Sequence, residues 1–574
     1  MNYHGNPVSG GIAAGPVFLY QPFTAAVSDV PLEENKIHQA IYDYESARNN
    51  AQTELESIQA RLETADPEKA KIFTAHIDIL FDEAMDGDIR ELITQDHYSP
   101  DRAINEVFEK YAKILGKSPD PLIRERSSDI RDVKTRLIRV WNGVPEKNLS
   151  SLPAPVVVVV HDLLPSDTAT LDRKNVLAIV TEIGGTTSHS AIIARSYGIP
   201  AILGVENATE HLSQGETIIV DALTGQVITQ PTKQQLADCA EKHRQFAAQQ
   251  TQISAFMEKE AVTPDGVKVE IELNLASVSE QALEGSKYTD GVGLFRTEFL
   301  YLGRDTLPTE EEQLEIYRTV LTKFGGRPVT LRTLDVGGDK KLDCLNLPHE
   351  DNPFLGNRAL RLCFDRPDIF RTQLRAAFRA SVYGNLWIMF PMVGSMDDIR
   401  RAKQIVSDVK DELTAEGIAF SPNVKLGIMI EIPSIALMAD FAAKEVDFAS
   451  IGTNDLCQYT MAVDRLNPAV SQYYQSYSPA LFRLVNHAAA MFIKNGKPIC
   501  VCGELGGDRL GAGVLIGLGI RNLSMSISSV AQTRKLVNEL PMKKAEEIAA
   551  KVLSLSTAQE VEQYLKDAFK SILS

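Results

Sequence analysis

The stretch VLAIVTEIGGTTSHSAIIARSYGIPAILG, residues 176–204, decides how the chain is read. Val176–Ile183 is an apolar, β-rich run, and Gly184-Gly185 breaks it. Thr186, Thr187 and Ser188 then supply capping hydroxyls, Ala191–Ser196 favours a helix, and Gly198 is placed to stop it. A second apolar run, Ile199–Leu203, follows. The pattern predicts a strand, a glycine turn, a short helix with His189 in its first turn, and another strand. Free backbone N–H groups and the positive end of the helix dipole favour an anion there by about 0.3–1 kcal/mol, and disfavour an imidazolium. A neutral imidazole is a nucleophile, and a phosphoryl group placed on it would meet N–H and hydroxyl donors. An isolated histidine in such a setting is more often a capped surface residue. Three hydroxyls and two glycines around this one favour chemistry.

Working outward, residues 1–20 hold glycine-punctuated segments, with Gly15–Tyr20 reading as a strand. From about Leu32 to Trp141 the sequence is long, charged and helix-periodic, broken at Asp66-Pro67, Ser99-Pro100 and Ser118-Pro119. Strand-like sequence resumes at Pro155–His161 and returns at Thr217–Val220 and Gln226–Thr229. The simplest arrangement is an α/β domain, residues 1–20 and 144–230, with a helical domain, residues 21–143, inserted into it. Lys233–Glu260 is polar and rich in Gln and Ala, so residues 231–260 read as a linker helix, and Thr263-Pro264-Asp265-Gly266 marks the next boundary.

Residues 261–574 contain eight short apolar runs: Val267–Leu275, Gly291–Phe295, Pro328–Leu334, Leu386–Met392, Leu426–Ile430, Val446–Ile451, Pro498–Val501 and Asn522–Ser526. Helix-length amphipathic sequence separates most of them. Eight β/α units in roughly 310 residues is the arithmetic of a (β/α)8 TIM barrel, with a doubly wound sheet as the alternative. In total the chain of 574 residues, 44% hydrophobic, is a multidomain α/β protein with ample core. Its formal charge of −17 argues against nucleic acid and against an anionic membrane surface. No signal peptide is visible in MNYHGNPVSGG, and Val156–Val160 is far too short to span a bilayer. Cysteines at 239, 344, 363, 457, 500 and 502 form no CxxC, disulfide or zinc spacing, so the expected compartment is the reducing cytoplasm.

In a barrel, catalytic groups follow the C-terminal ends of the strands. Here run one ends near Asn274 and run two leads into Arg296-Thr297-Glu298. Run three carries Arg332 and Asp335, then Gly337-Gly338-Asp339-Lys340. Run five ends at Glu431, run six at Gly452-Thr453-Asn454-Asp455 with Arg465 a short way on, and run seven at Cys502-Gly503-Glu504. Arg358 lies in the loop segment NPFLGNR, residues 352–358. Any one of these arginines alone would be a rim charge or a salt bridge. Four arginines and a lysine converging on one face suit a polyanion, which guanidinium forks bind bidentately. Glu431 and Asp455 end consecutive strands and, with phosphate nearby, suit Mg²⁺; two carboxylates simply paired to arginines is the competing reading. Cys502 is either buried filling or an acid that protonates a carbon, its ordinary pKa of ~8.5 allowing that near neutrality. Gly337-Gly338-Asp339-Lys340 lacks P-loop spacing, and Gly511-Ala512-Gly513 lacks a dinucleotide-binding context.

Together these residues resemble enzyme I of the bacterial phosphoenolpyruvate:sugar phosphotransferase system, on motifs in both halves: GGTTSHS, GVGLFRTEFL, LRTLDVGGDK, NPFLGNRA, IMFPM, SIGTNDLCQYTMAVDR and CGELGGD. The resemblance implies a swivelling phosphohistidine α/β domain with an inserted helical bundle, followed by a phosphoenolpyruvate-binding TIM barrel. It implies phosphorylation of His189 at Nε2, Mg²⁺ on Glu431 and Asp455, and phosphoenolpyruvate held by Arg296, Arg332, Arg358, Arg465, Lys340 and Asn454, beside Asp455. Cys502 would protonate pyruvate enolate. It further implies transfer to HPr, a small histidine-containing carrier, and a homodimer formed through the barrel domain. Thr186, Asn357 and Cys457 stand where the family usually has Arg, Trp and Thr. None is a group assigned to chemistry, and they bear on whether the general sugar-system carrier or a dedicated one is served. Pyruvate phosphate dikinase and phosphoenolpyruvate synthase share such domains, but the insert lacks a glycine-rich nucleotide loop. A phosphorylation-inert regulatory binder is the remaining alternative, disfavoured by intact His189, Arg332, Glu431, Asp455 and Cys502. The insert is the expected carrier platform, with Asp66–Asp82 offering Ile72, Phe73, His76, Ile79 and Leu80 beside carboxylates; an ordinary buried bundle stripe is the plainer reading.

Overall fold

The computed structural model describes the chain outside residues 1, 21–29, 66, 117–120, 145–148, 150, 151, 153, 164–170, 185–188, 303, 305, 338–342, 346, 349 and 574. Helical side chains at 61–65, 67–69, 71, 121–125, 189, 192, 196, 281, 343, 468, 571 and 573 also lie outside the description. It therefore includes the backbone of His189 without its ring, and does not include Lys340 or the hydroxyls of Thr186, Thr187 and Ser188. The chain divides into two units, Met1–Gln249 and Gln250–Ser574.

In the first unit, strands β1 (Asn2–His4), β2 (Asn6–Ser9), β3 (Ile12–Tyr20), β4 (Val156–Val160), β5 (Val176–Thr181), β6 (Ala201–Leu203), β7 (Thr217–Asp221) and β8 (Gln226–Thr229) make one sheet. Its order is β1-β8-β7-β3-β4-β5-β6-β2, with β3, β4, β5 and β6 parallel and the flanking pairs antiparallel. Five consecutive valines make β4 a central strand buried on both faces. Val156, Val158 and Val160 pack with Ala191 and Ala194, while Val157 and Val159 pack with Ala178 and Val180 on the opposite face.

Among its described residues the insert holds five α-helices: α1 (Ile37–Ala65), α2 (Pro67–Leu80), α3 (Glu83–Thr94), α4 (Pro100–Gly116) and α5 (Pro121–Trp141). Two of the expected proline breaks begin helices at Pro67 and Pro100, whereas Ser118-Pro119 lies outside the described residues. A break the sequence reading did not assign is Asp82, whose carboxylate accepts the Met85 N–H at 2.9 Å and starts α3. The apolar stripe of α2 is largely spent on the bundle: Phe73, His76 and Leu80 are buried, and His76 Nε2 lies 3.6 Å from Asp129. Ile72 and Ile79 are partly buried against the same core. Lys233–Ser254 is a helix as expected but not a bare linker. Cys239 is buried against Ile12 and Ile219, His243 Nδ1 donates to the Ile12 carbonyl at 2.7 Å, and Lys242 lies 3.5 Å from Asp221.

The second unit is a closed barrel of eight parallel strands: β9 (Glu270–Leu275), β10 (Gly291–Phe295), β11 (Pro328–Arg332), β12 (Asn385–Phe390), β13 (Lys425–Ile430), β14 (Phe448–Ile451), β15 (Ile499–Val501) and β16 (Asn522–Met525). Each lies within or overlaps one of the eight apolar runs. Pairing of β16 with β9, from Asn522 beside Glu270 to Met525 beside Leu273, closes the ring and rules out the doubly wound alternative. Among the described residues no helix is long and apolar enough to cross a membrane.

Because the first unit has its own cores, a fragment of residues 1–249 should unfold cooperatively in urea. Truncation at residue 230 removes the packing of Cys239 and the His243 bond, and should lower stability by about 1–3 kcal/mol. Equal unfolding midpoints for the two fragments would mean the helix only tethers.

Candidate functional site

In the first unit β4 and β5 end side by side. His161, just past β4, pairs through Nδ1 with Glu182, just past β5. Glu182 also accepts from the Thr209 backbone N–H at 2.7 Å and hydroxyl at 2.5 Å. Burial pushes the Glu182 carboxyl up, but these donors outweigh it and hold the group below the usual carboxylate range. Gly184 adopts φ +118°, and the helix α6, His189–Tyr197, begins five residues later. His189 is thus the first residue of a helix fed by a strand, and Gly198 at φ +64° ends that helix.

At the C-terminal ends of the barrel strands, Asp335 joins two arginines. Arg358 Nε and Nη2 donate to its two carboxylate oxygens at 2.8 and 3.0 Å, and Arg332 Nη1 lies 2.8 Å from Oδ2. Arg332 Nη2 also donates to Glu298. Arg358 Nη1 reaches Asp455 Oδ1 and the Tyr459 hydroxyl, each at 3.2 Å, and Arg465 Nη1 lies 3.4 Å from the same Asp455 oxygen. Arg332, Arg358, Glu298, Asp335 and Asp455 are all buried, Arg465 is partly exposed, and Arg296 is exposed. The arginines therefore do not form a bare positive cluster. Carboxylates interleave them, as isolated buried guanidinium groups would require. Gly337 permits this packing: its φ is +109°, and a Cβ there would sit 2.9 Å from Arg358 Cα.

Glu431 follows β13 and is fully buried. Its Oε1 accepts the Met392 backbone N–H at 2.6 Å, and its Oε2 has no hydrogen-bond partner. The competing salt-bridge reading therefore describes Asp455 but not Glu431, which pairs with no arginine among the described residues. Burial, then the negative charge of Asp455 and Asp335, pushes the Glu431 carboxyl up to about 8. Gly452 makes room for it, since a Cβ there would lie 3.0 Å from Oε2. Asn454 Oδ1 accepts the Glu504 N–H at 3.0 Å. No cluster of three or more His, Cys, Asp or Glu side chains suited to a metal occurs among the described residues.

Cys502 is buried within the barrel beside Leu294, Met389, Met429 and Phe448, and its thiol lies 3.7 Å from the Ile451 carbonyl. Burial pushes the thiol up to about 11, with the Ser450 hydroxyl, Arg332 and Arg296 opposing. The ordinary thiol value assumed from sequence is thus corrected: this group keeps its proton at neutral pH and gives it up only to a strong base.

Several supporting residues escaped the sequence reading. Gln373 accepts the Leu334 N–H at 2.8 Å and donates to the Thr297 hydroxyl at 3.1 Å, tying the ends of β10 and β11 together. It occupies the buried stripe of helix Pro367–Ala380 with Ile369, Phe370, Leu374 and Ala377, and a lone amide on an apolar stripe was the available signal. Tyr459, which accepts from Arg358 and donates to the Phe354 carbonyl at 2.6 Å, and Met392, at φ +53°, gave no signal.

Three family descriptions match the chain: PEP-utilising enzyme, N-terminal, over residues 4–126; mobile domain, over 152–225; and PEP-binding domain, over 250–542. A phosphoenolpyruvate-protein phosphotransferase of Bacillus sp. (strain S) is 43% identical over 572 residues, covering 99% of this chain and 98% of its own. The protein of that name from Geobacillus stearothermophilus is 43% identical over 572 residues, with 99% and 98% covered. That of Bacillus subtilis (strain 168) is 41% identical over 563 residues, with 98% of each covered.

Since the folded protein holds Glu431 in its acid form, that contribution to stability is complete below the ordinary 4.5 and is lost as pH rises through about 8. The melting temperature of metal-free protein should therefore fall between about pH 5 and about pH 9, and Glu431→Gln should flatten part of that slope. An unchanged slope in the variant would contradict the burial assigned to this carboxyl.

Proposed function

We take as premise that this chain belongs to the phosphoenolpyruvate–protein phosphotransferase family, and we propose that its barrel binds phosphoenolpyruvate while His189 receives the phosphoryl group. The observation that carries the barrel assignment is the buried Glu431 oxygen without a partner beside Arg332, Arg358 and Asp455. Arg332 and Arg358, already oriented by Asp335, would meet phosphate or carboxylate oxygens without reorganising, and Arg296 and Arg465 would close on them from the rim. Asn454, its carbonyl engaged by Glu504, is oriented to donate from its amide. Lys340 belongs to the same proposal on sequence alone.

Glu431 and Asp455 fit Mg²⁺: both are hard oxygen donors, one Glu431 oxygen is unpartnered, and Mg²⁺ needs only one or two carboxylates besides water and substrate oxygens. Bound there, Mg²⁺ would supply positive charge to the phosphoryl oxygens. The His189 imidazole attacks phosphorus as the bond to the enol oxygen breaks, leaving pyruvate enolate. The Cys502 thiol then protonates C3, which draws the transfer forward. Its high proton affinity suits it to wait for so basic a carbon.

Phosphohistidine would next serve a histidine carrier of the HPr type docking on α1–α5, through exposed faces rather than the buried α2 stripe. A homodimer through the barrel domain is supported by Leu437, Met438 and Phe441, which are apolar and 61%, 40% and 50% exposed. A cytoplasmic location is supported by six free cysteines. Nothing favours the dikinase reading.

Incubation with phosphoenolpyruvate and Mg²⁺ should yield an acid-labile phosphoprotein, and His189→Ala should not. An acid-stable label, or one that survives the substitution, would place the nucleophile elsewhere. Cys502→Ala should still phosphorylate His189 but protonate enolate ~10²-fold or more slowly. Wild-type pyruvate release in that variant would return Cys502 to core filling.

A further inference from the structure

Inside the barrel, away from the arginines, sits an acid the mechanism above does not use. Glu272, on β9, is buried, and among the described residues no cation pairs with it. Its Oε2 accepts from the Cys500 thiol at 3.4 Å and its Oε1 from Asn522 Nδ2 at 3.2 Å. Barrel interiors are ordinarily filled by bulky branched apolar residues, so a carboxyl here needs a reason. The barrel also gives up a side chain to seat it: a Cβ on Gly293 of β10 would lie 2.4 Å from Glu272 Oε2.

From Glu272 a line of protic groups leads toward Cys502. Cys500 and Cys502 stand two residues apart, one on β15 and one just past its end, and therefore point to the same side. Ser450, beside Cys500 in the β14–β15 register, has a buried hydroxyl within interaction range of both thiols that closes no well-formed hydrogen bond of its own. The groups are thus carboxyl, thiol, hydroxyl and thiol.

We propose that Glu272 is the proton reservoir that recharges Cys502 after each turnover, through Cys500 and Ser450. This rests on Cys502 being the group that protonates the enolate. In that step the C3–H bond forms from the enolate electron pair as the Cys502 S–H bond breaks. The thiolate takes a proton from the Ser450 hydroxyl, which takes one from Cys500 once its S–H has turned from Glu272 Oε2 toward Ser450. Protonated Glu272 then donates to the Cys500 sulfur, reversing the hydrogen bond in which the thiol donates to the carboxylate. The resulting carboxylate regains its proton from solvent on the Asn522 side, where β16 begins. Burial, opposed by the Cys500 and Asn522 hydrogen bonds, pushes Glu272 up to about 7, so much of it carries a proton at neutral pH. The charged groups nearest it, Glu270 and Asp290, are both acidic and push the same way, while Cys500, Asn522 and Ser524 face it as neutral groups. Glu272 is a positioning and supply residue, since it touches neither substrate nor C3.

The test is rapid-quench measurement of pyruvate with full-length enzyme, Mg²⁺, and phosphoenolpyruvate and HPr in excess. Glu272→Gln should release the first pyruvate per site at the wild-type rate and then continue at least ~10-fold more slowly. Cys500→Ala should behave likewise, and Cys500→Ser, which keeps a protic group, should recover. The wild-type steady phase should fall as pH rises through about 7, and Glu272→Gln should lack that fall. A wild-type steady phase in Glu272→Gln, or a first turnover slowed as much as later ones, would overturn the relay. Cys502→Ala, run alongside, separates the two proposals: slow protonation there with an unaffected Glu272→Gln rejects the relay alone, and fast protonation there rejects the role of Cys502 itself.

Discussion

The two-pronged hydrogen bond from Arg358 to Asp335, shared with Arg332, is the constraint on which the barrel site depends. A guanidinium stripped of water is tolerated only beside a carboxylate, and the reverse is also true. Three strand-end segments are therefore held by charge as well as by packing: Glu298 after β10, Arg332 and Asp335 around the end of β11, and Asp455 after β14. Arg358 reaches them from a loop with no strand of its own. The effect is to fix both guanidinium groups in place through their carboxylate partners.

Charge alone would not close this arrangement. Gly337 lets the Arg358 backbone come close, Gly452 leaves space for the Glu431 carboxyl, and Gln373 ties the ends of β10 and β11 from a helix outside the barrel. Glu431 differs from its neighbours in being held by one backbone N–H instead of a guanidinium. Two carboxylates at one site thus sit in different environments, Asp455 compensated by arginines and Glu431 pushed toward its acid form. That contrast suits a site in which a divalent cation would replace a proton.

Much of this was legible in the sequence because parallel barrel strands are buried on both faces and read as continuous apolar runs. All eight such runs contain strands, and the polar residues that end them gather at one rim. His189 was located for a related reason, since glycine, hydroxyls and helix formers follow a strand in an order that favours a helix start. What the sequence hid were partnerships. Nothing in the residues around Asp335 says that it will serve two arginines, and nothing near Tyr459 says that it will meet Arg358. The α2 stripe was ambiguous because apolar periodicity identifies a face without saying whether a neighbouring helix or a partner protein covers it. Phe73 and His76 prove to face the bundle. Lys233–Ser254 looked like a linker because its composition is polar, yet Cys239, Lys242 and His243 give it a place on the sheet.

The most direct test of this account is calorimetric titration of Asp335→Asn with phosphoenolpyruvate and Mg²⁺. Removing one partner from a buried ion pair costs folding stability, about 3–5 kcal/mol, so circular dichroism must first report a folded barrel. With the orienting carboxylate gone, binding should be weakened by ~10²-fold or more. Binding at wild-type affinity would contradict the claim that Asp335 holds the arginines in the geometry the ligand requires.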